Sequence, residues 1–167
     1  MSNLDQHDTI HSSDFALHTV RPRTSLQLAF MEAARRNFPF KDEAHFDTWR
    51  GIYSSPVAGR NLVLTRNDFV LGIATLRKAR PDRALLENLM VEDGYRGFGF
   101  GSALLAGAEA LAQWQGNTSI ELTSRAEQWA FYAARGYLRE VAPNQGDNAL
   151  ITGVKRLKPS PAWVLGR

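Results

Sequence analysis

Residues 96 to 105 read RGFGFGSALL, and the glycines and aromatics there suit two different chemistries. A basic residue, then glycine and an aromatic twice over, is how one strand of an RNA-recognition domain begins, its aromatics stacking on bases. The same letters suit a glycine-rich turn whose backbone amides hold a phosphate at a helix N-terminus. The residues that follow separate the two. The RNA-binding strand needs an aliphatic and then an aromatic residue to finish its stacking surface, and Gly101 and Ala103 stand there instead. From Ser102 onward Leu104, Leu105, Ala108, Leu111 and Ala112 recur at helical spacing, which puts Phe98 and Phe100 in a strand-to-helix turn. A dinucleotide fingerprint fails because its third glycine would be Ser102 or Leu104, and no Lys-Ser or Lys-Thr pair completes a Walker loop. The turn Arg96, Gly97, Phe98, Gly99, Phe100, Gly101 and Ser102 remains as a candidate pyrophosphate cradle. Glycine brings the backbone close to a bulky anion, and Ser102 can add a hydroxyl. A tight connection with no ligand is the alternative.

Two further groups invite attention. Glu87 is a lone carboxylate within LLENLMV, placed either to take a proton from an ammonium, directly or through water, or to pair with an arginine at an edge. His7 and His11 have the i, i+4 spacing of metal ligands, but they lie in a polar tail with no third ligand, and no metal is expected.

The elements that must position these groups follow from pattern. FALHTV at 15–20 alternates as a strand until Pro22; Thr24 and Gln27 have the spacing of a capping box for a helix carrying Leu26, Ala29, Phe30 and Ala33 on one face. DEAHFDTWRGIY at 42–53 predicts a second helix, opened by acidic residues at its positive end. NLVLT at 61–65 and FVLGIATL at 69–76 form a hairpin across Arg66, Asn67 and Asp68, and ALLENLMV at 84–91 is a further strand leading to the turn. After the glycine-turn helix come the strand SIELT at 119–123, a capping box at Ser124 and Glu127, and the helix WAFYAAR, ended by Gly136. YLREVA and ALITGVKRL make a last hairpin around PNQGD. The expected class is α/β, a mixed central sheet of about seven strands flanked by about four helices in one domain over residues 14–158, with tails at 1–13 and 159–167.

Composition bounds the partners. There is no cysteine, which removes thiolate nucleophiles and disulfides and agrees with a reducing cytoplasm. The first thirteen residues lack the order of a secretory leader, and no apolar run reaches the roughly 20 residues that cross a bilayer, so a soluble, cytoplasmic protein is expected. Twenty basic residues against 17 acidic ones give a net charge of only +3 with the arginines scattered, which lends nucleic acid only weak support as a partner.

The stretch LLENLMVEDGYRGFGFGSALL resembles motif A of the GNAT superfamily of N-acetyltransferases, with Arg96, Gly99 and Gly101 at its signature positions. AFYAARGYL resembles motif B through Phe131, Tyr132, Gly136 and Tyr137, and VRPRTSLQL at 20–28 resembles the family's entry into its first helix. Arg125 stands where many members carry Asn, and Asp93 where proline is common. The resemblance implies a GNAT-like fold and transfer of an acetyl group from acetyl-CoA, as co-substrate, to an amine by direct attack without a metal. It implies that the backbone of Leu89, Met90 and Val91 receives the pantetheine arm and polarises the thioester carbonyl. It makes Tyr132 the acid for the departing thiolate, since a tyrosine of ordinary pKa near 10 stays protonated at neutral pH. Glu87 is the candidate base. The acceptor side falls at about residues 25–55, whose mixed charges name no substrate, and homodimer formation is left open. A catalytically inert acyl-CoA-binding module is the competing reading, with an RNA-directed protein third.

Overall fold

Thr24 accepts a hydrogen bond from the backbone N–H of Gln27 at 3.3 Å, and Asp42 accepts one from that of His45 at 2.8 Å. These caps start helices α1, Ser25–Asn37, and α2, Glu43–Ser54, at the places the sequence marks. The structure, a computed structural model, describes residues 15–55, 59–140 and 150–159. The two histidines of the tail and the PNQGD turn lie outside the described residues.

Strand β1, Phe15–Thr19, precedes α1, and β2, Arg60–Arg66, follows α2. β2 turns through Asn67, at φ 52°, into β3, Phe69–Arg80, and β4 spans Arg83–Val91. Helix α3, Phe100–Trp114, crosses to β5, Ser119–Ser124; the short α4, Trp129–Ala133, leads to β6, Leu138–Glu140, and β7, Ile151–Arg156. The seven strands form one sheet in the order β1-β2-β3-β4-β5-β7-β6, in which β4 and β5 are parallel and the other neighbours antiparallel. Expected class and element order are thus found.

Both faces of the sheet are covered. α1 and α2 bury Phe30, Met31, Ala33, Ala34 and Phe46 against Val63, Val70, Ile73 and Met90. α3 and α4 bury Phe100, Leu104, Leu105, Ala108, Ala112 and Tyr132 against Leu62, Leu64, Leu71, Leu86, Ile120 and Leu122. Each fully buried leucine or phenylalanine contributes roughly 1.5–3 kcal/mol, so these two layers fix the sheet that carries the site.

Two local expectations are corrected. Ser124 does not cap a helix with Glu127: it is the last residue of β5, paired with Ile151, and the following 3-10 turn at Ala126–Gln128 has no side-chain cap. Helix α4 ends at Ala133, short of Arg135, because Gly136 at φ 88° lets Tyr137 N–H return to the carbonyl of Tyr132 at 3.2 Å and Gly136 N–H to that of Ala133 at 3.1 Å.

Candidate active site

β4 and β5 pair from Arg83 with Ser119 to Leu86 with Leu122 and no further, while β5 stays on β7 as far as Ser124. From Glu87 to Val91 the edge of β4 that would meet β5 is therefore open. In the same stretch β4 carries a bulge against β3: Glu87 faces Thr75 and Met90 faces Ile73, so Ala74 alone opposes Asn88 and Leu89. Asn88 takes up the extra residue at φ 56°. The bulge inverts the alternation of the strand. Ala84 and Leu86 belong to the α3 core, and beyond the bulge so do Leu89 and Val91, whereas Met90 is buried beneath α1.

Backbone direction follows. Glu92 N–H donates to Leu71 O on β3 at 2.9 Å, and since alternate residues address alternate neighbours, Met90 turns to β3 while Leu89 and Val91 turn to the gap. Of the three strand residues expected to receive an arm, two have backbone groups on the open side and Met90 has not. The carbonyl of Val91 is already met by Arg96 Nε at 3.1 Å, and Arg96 also bridges to Asp93 at 2.7 Å. Arg96 thus braces the strand end, and its side chain is in use.

The turn itself is built for close approach. Gly97 and Gly99 have φ of 84° and 88°, where a side chain is strained, and a Cβ on either would point into open space. Gly99 precedes α3, whose first intrahelical bond is Ala103 N–H to Gly99 O at 3.1 Å, so the N–H groups of Phe100, Gly101 and Ser102 have no partner within the helix. The two phenylalanines part company: Phe98 is 63% exposed, while Phe100 is 3% exposed and meets Phe15 edge-on at 5.7 Å. Gly101 backs onto the ring of Phe131.

At the start of α3 stands Arg135, which pattern reading missed. Its Nη2 and Nε donate to Ser102 Oγ at 2.6 and 3.2 Å, Nη1 donates to Phe131 O at 2.7 Å, and the guanidinium lies 3.8 Å from the Phe131 ring centre. Tyr132 packs edge-on against Phe131 and Tyr137. Its hydroxyl has no hydrogen-bond partner among the described residues, and burial raises its pKa above the ordinary tyrosine value.

Glu87, the first β4 residue past the last β5 pair, accepts from Tyr53 Oη at 3.1 Å and from Arg77 Nη1 at 3.3 Å, both on Oε2. Oε1 has no partner among the described residues. Tyr53 is placed by Trp49, whose ring lies 4.6 Å away, and burial followed by the charge of Glu87 raises its pKa. Among the described residues no group of His, Asp and Glu side chains could hold a metal ion, and no helix is long and apolar enough to cross a membrane. Two surface clefts, of about 270 and 320 Å³, lie at the C-terminal end of α3, away from the turn.

The profile of the Acetyltransferase (GNAT) family matches residues 25–137, more than half the chain, including β4, the glycine turn and α4. The chain belongs to the GNAT acetyltransferase family. Solved structures share the fold. An aminoglycoside 6'-N-acetyltransferase complexed with coenzyme A aligns with TM-score 0.72 and 14% identity over 87% of this chain and 99% of that one. The ribosomal-protein-S18-alanine N-acetyltransferase from Escherichia coli gives 0.68 and 20% over 87% and 96%, and Ard1 from Thermoplasma volcanium 0.68 and 18% over 87% and 99%. Comparison with curated proteins gives no match. Of the two departures from the family pattern, Asp93 is used by Arg96, and Arg125 is exposed with its nearest carboxylate, Glu127, at 4.0 Å.

Proposed function

We propose that the chain transfers an acetyl group from acetyl-CoA to a primary amine of a small molecule or peptide by direct attack. The observation that carries this reading is an open, bulged β4 edge that leads into a left-handed glycine turn. Acetyl-CoA fits the residues present, since Gly97 and Gly99 leave room above amides that have no partner within the helix, and when bound it supplies a thioester-activated acyl group.

The amides of Phe100, Gly101 and Ser102 receive the pyrophosphate with the help of the helix dipole. The gap-facing amides of Leu89 and Val91 receive the pantetheine arm and polarise the thioester carbonyl where negative charge develops. Attack by the amine nitrogen forms the C–N bond and breaks the C–S bond. Tyr132 gives its proton to the departing sulfur, and Glu87 Oε1 takes the proton of the amine, directly or through water.

The test incubates the full chain with acetyl-CoA and a panel of amines, amino acids and peptides while free thiol is followed. Amine-dependent thiol release with an acetylated product is expected. Binding of acetyl-CoA with no transfer to any amine would overturn the reading in favour of an inert acyl-CoA-binding module.

A further inference from the structure

Asn88 is a non-glycine residue with φ 56° in the middle of a strand, a conformation that asparagine tolerates better than most but that no strand favours. What holds it there is continuous. Asn88 Nδ2 donates to Thr75 Oγ1 at 3.1 Å, Thr75 Oγ1 to Asn61 Oδ1 at 3.0 Å, and Asn61 Nδ2 to the carbonyl of Tyr53 at 2.8 Å. Tyr53 closes the circuit by donating its hydroxyl to Glu87, the neighbour of Asn88. Thr75 and Asn61 are 1% and 8% exposed, so water does not stand in readily for either partner.

We infer that Asn88 is a positioning residue, holding the β4 bulge through Thr75 and Asn61 to the last turn of α2 and so setting which strand amides face the gap. The inference rests on the acetyl-transfer reading for its purpose but not for its geometry. Without the extra residue, Leu89 and Val91 would exchange faces with Met90, and a one-residue slip would turn the gap-facing amides toward β3. The same circuit makes the acceptor-side helix and the donor-side strand one unit.

The experiment uses the ¹⁵N-labelled full chain and three variants, Thr75→Val, Asn88→Gly and Asn88→Ala, each confirmed folded by circular dichroism. Thr75→Val cuts the relay and leaves Asn88 in place; Asn88→Gly keeps the backbone at ease and deletes only the side chain. The first readout is the shift that coenzyme A induces at the amides of Leu89 and Val91. It should be lost or displaced in Thr75→Val and Asn88→Gly, while shifts at Gly99 and Gly101 persist. The second is single-turnover transfer to a competent amine, which should fall about 10- to 100-fold at little cost in donor affinity, as a misplaced catalytic geometry does. Wild-type shifts at Leu89 and Val91 in both variants would overturn the positioning role, and so would a defect confined to Asn88→Ala, which would leave backbone freedom alone as the cause. An inactive wild type that still shows the expected shift losses would instead sink the transfer reading and leave the positioning role standing.

Discussion

Arg135 and Ser102 are 33 residues apart in sequence and joined by two hydrogen bonds at the N-terminus of α3. A helix N-terminus repels a cation, and Arg135 has no carboxylate partner among the described residues. An anion shared between guanidinium and helix would reverse the balance. Arg135→Ala should therefore raise the Kd for acetyl-CoA about tenfold or more, in line with the ~1.5–3 kcal/mol of a hydrogen bond to a charged group, and flatten its dependence on salt. Calorimetry at two ionic strengths checks this; unchanged affinity would reduce Arg135 to a packing partner of Phe131.

The glycines of the turn are not equivalent. Gly99 sits at φ 88°, and valine there should cost roughly 1–2 kcal/mol of stability through the left-handed backbone while placing methyl groups where the phosphate is expected. Gly101 has ordinary helical backbone, and a Cβ there would lie 3.5 Å from the Phe131 ring, so alanine should fit with little effect on folding. Titration of acetyl-CoA into folded Gly99→Val should show clearly weakened binding, and Gly101→Ala near-normal binding. Equal, wild-type affinities would make the turn a structural connection only.

Phe98 and Phe100 share one short motif and have opposite fates. Removing the buried ring in Phe100→Ala should destabilise the fold by about 3–5 kcal/mol, whereas Phe98→Ala, at an exposed site, should stay within about 0.5 kcal/mol. Urea unfolding of the two variants measures both. Comparable losses would mean that Phe98 packs in a way its exposure does not suggest.

That contrast marks how far the sequence could be read. The capping box at Thr24, the acidic opening at Asp42 and Glu43, the period of SALLAGAEALAQW and the hairpin across Arg66, Asn67 and Asp68 are local signals, and each produced its element. Within LLENLMV, however, apolar residues occupy both strand faces, so alternation leaves no trace of a bulge. Only Asn88, a residue at ease with positive φ, hinted at one. Ser124 and Glu127 had the spacing of a cap, but pairing of Ser124 with Ile151 holds it in the strand, a constraint from 27 residues away that no local pattern carries. Arg135 and the Tyr53 circuit were hidden for the same reason. Glu87 was legible as a choice between base and ion-pair partner, and it has the ion pair while Oε1 keeps no partner among the described residues.

Stability should respond to alkali. Burial raises the pKa of Tyr132, and burial with the charge and hydrogen bond of Glu109 raises that of Tyr137. For an acid whose folded pKa lies above its unfolded value, the stabilisation is complete below about pH 10 and declines as the unfolded chain begins to ionise above it. The melting temperature should be insensitive to these two groups from pH 7 to about 9.5 and fall beyond, with a shallower fall in Tyr137→Phe. The same alkaline slope in variant and wild type would remove Tyr137 from the account.

Tyr132 is the sharpest test of the chemistry. Phenylalanine in its place keeps the ring between Phe131 and Tyr137 and removes a hydroxyl that bonds to nothing among the described residues, so stability and acetyl-CoA affinity should barely change. If the hydroxyl protonates the leaving sulfur, single-turnover transfer should drop by something on the order of 10²- to 10⁴-fold. The pH dependence adds a sign. An acid works in its protonated form, and since burial lifts this one above its ordinary value, no loss of rate below about pH 10 should trace to Tyr132. Any alkaline limb at lower pH would then persist in the residual activity of Tyr132→Phe. Water can replace the proton donor in part, which is why the comparison is made on the chemical step with one competent amine, where product release does not mask it. Equal single-turnover rates for the two proteins would leave Tyr132 a packing residue and send the search for the acid elsewhere along the gap.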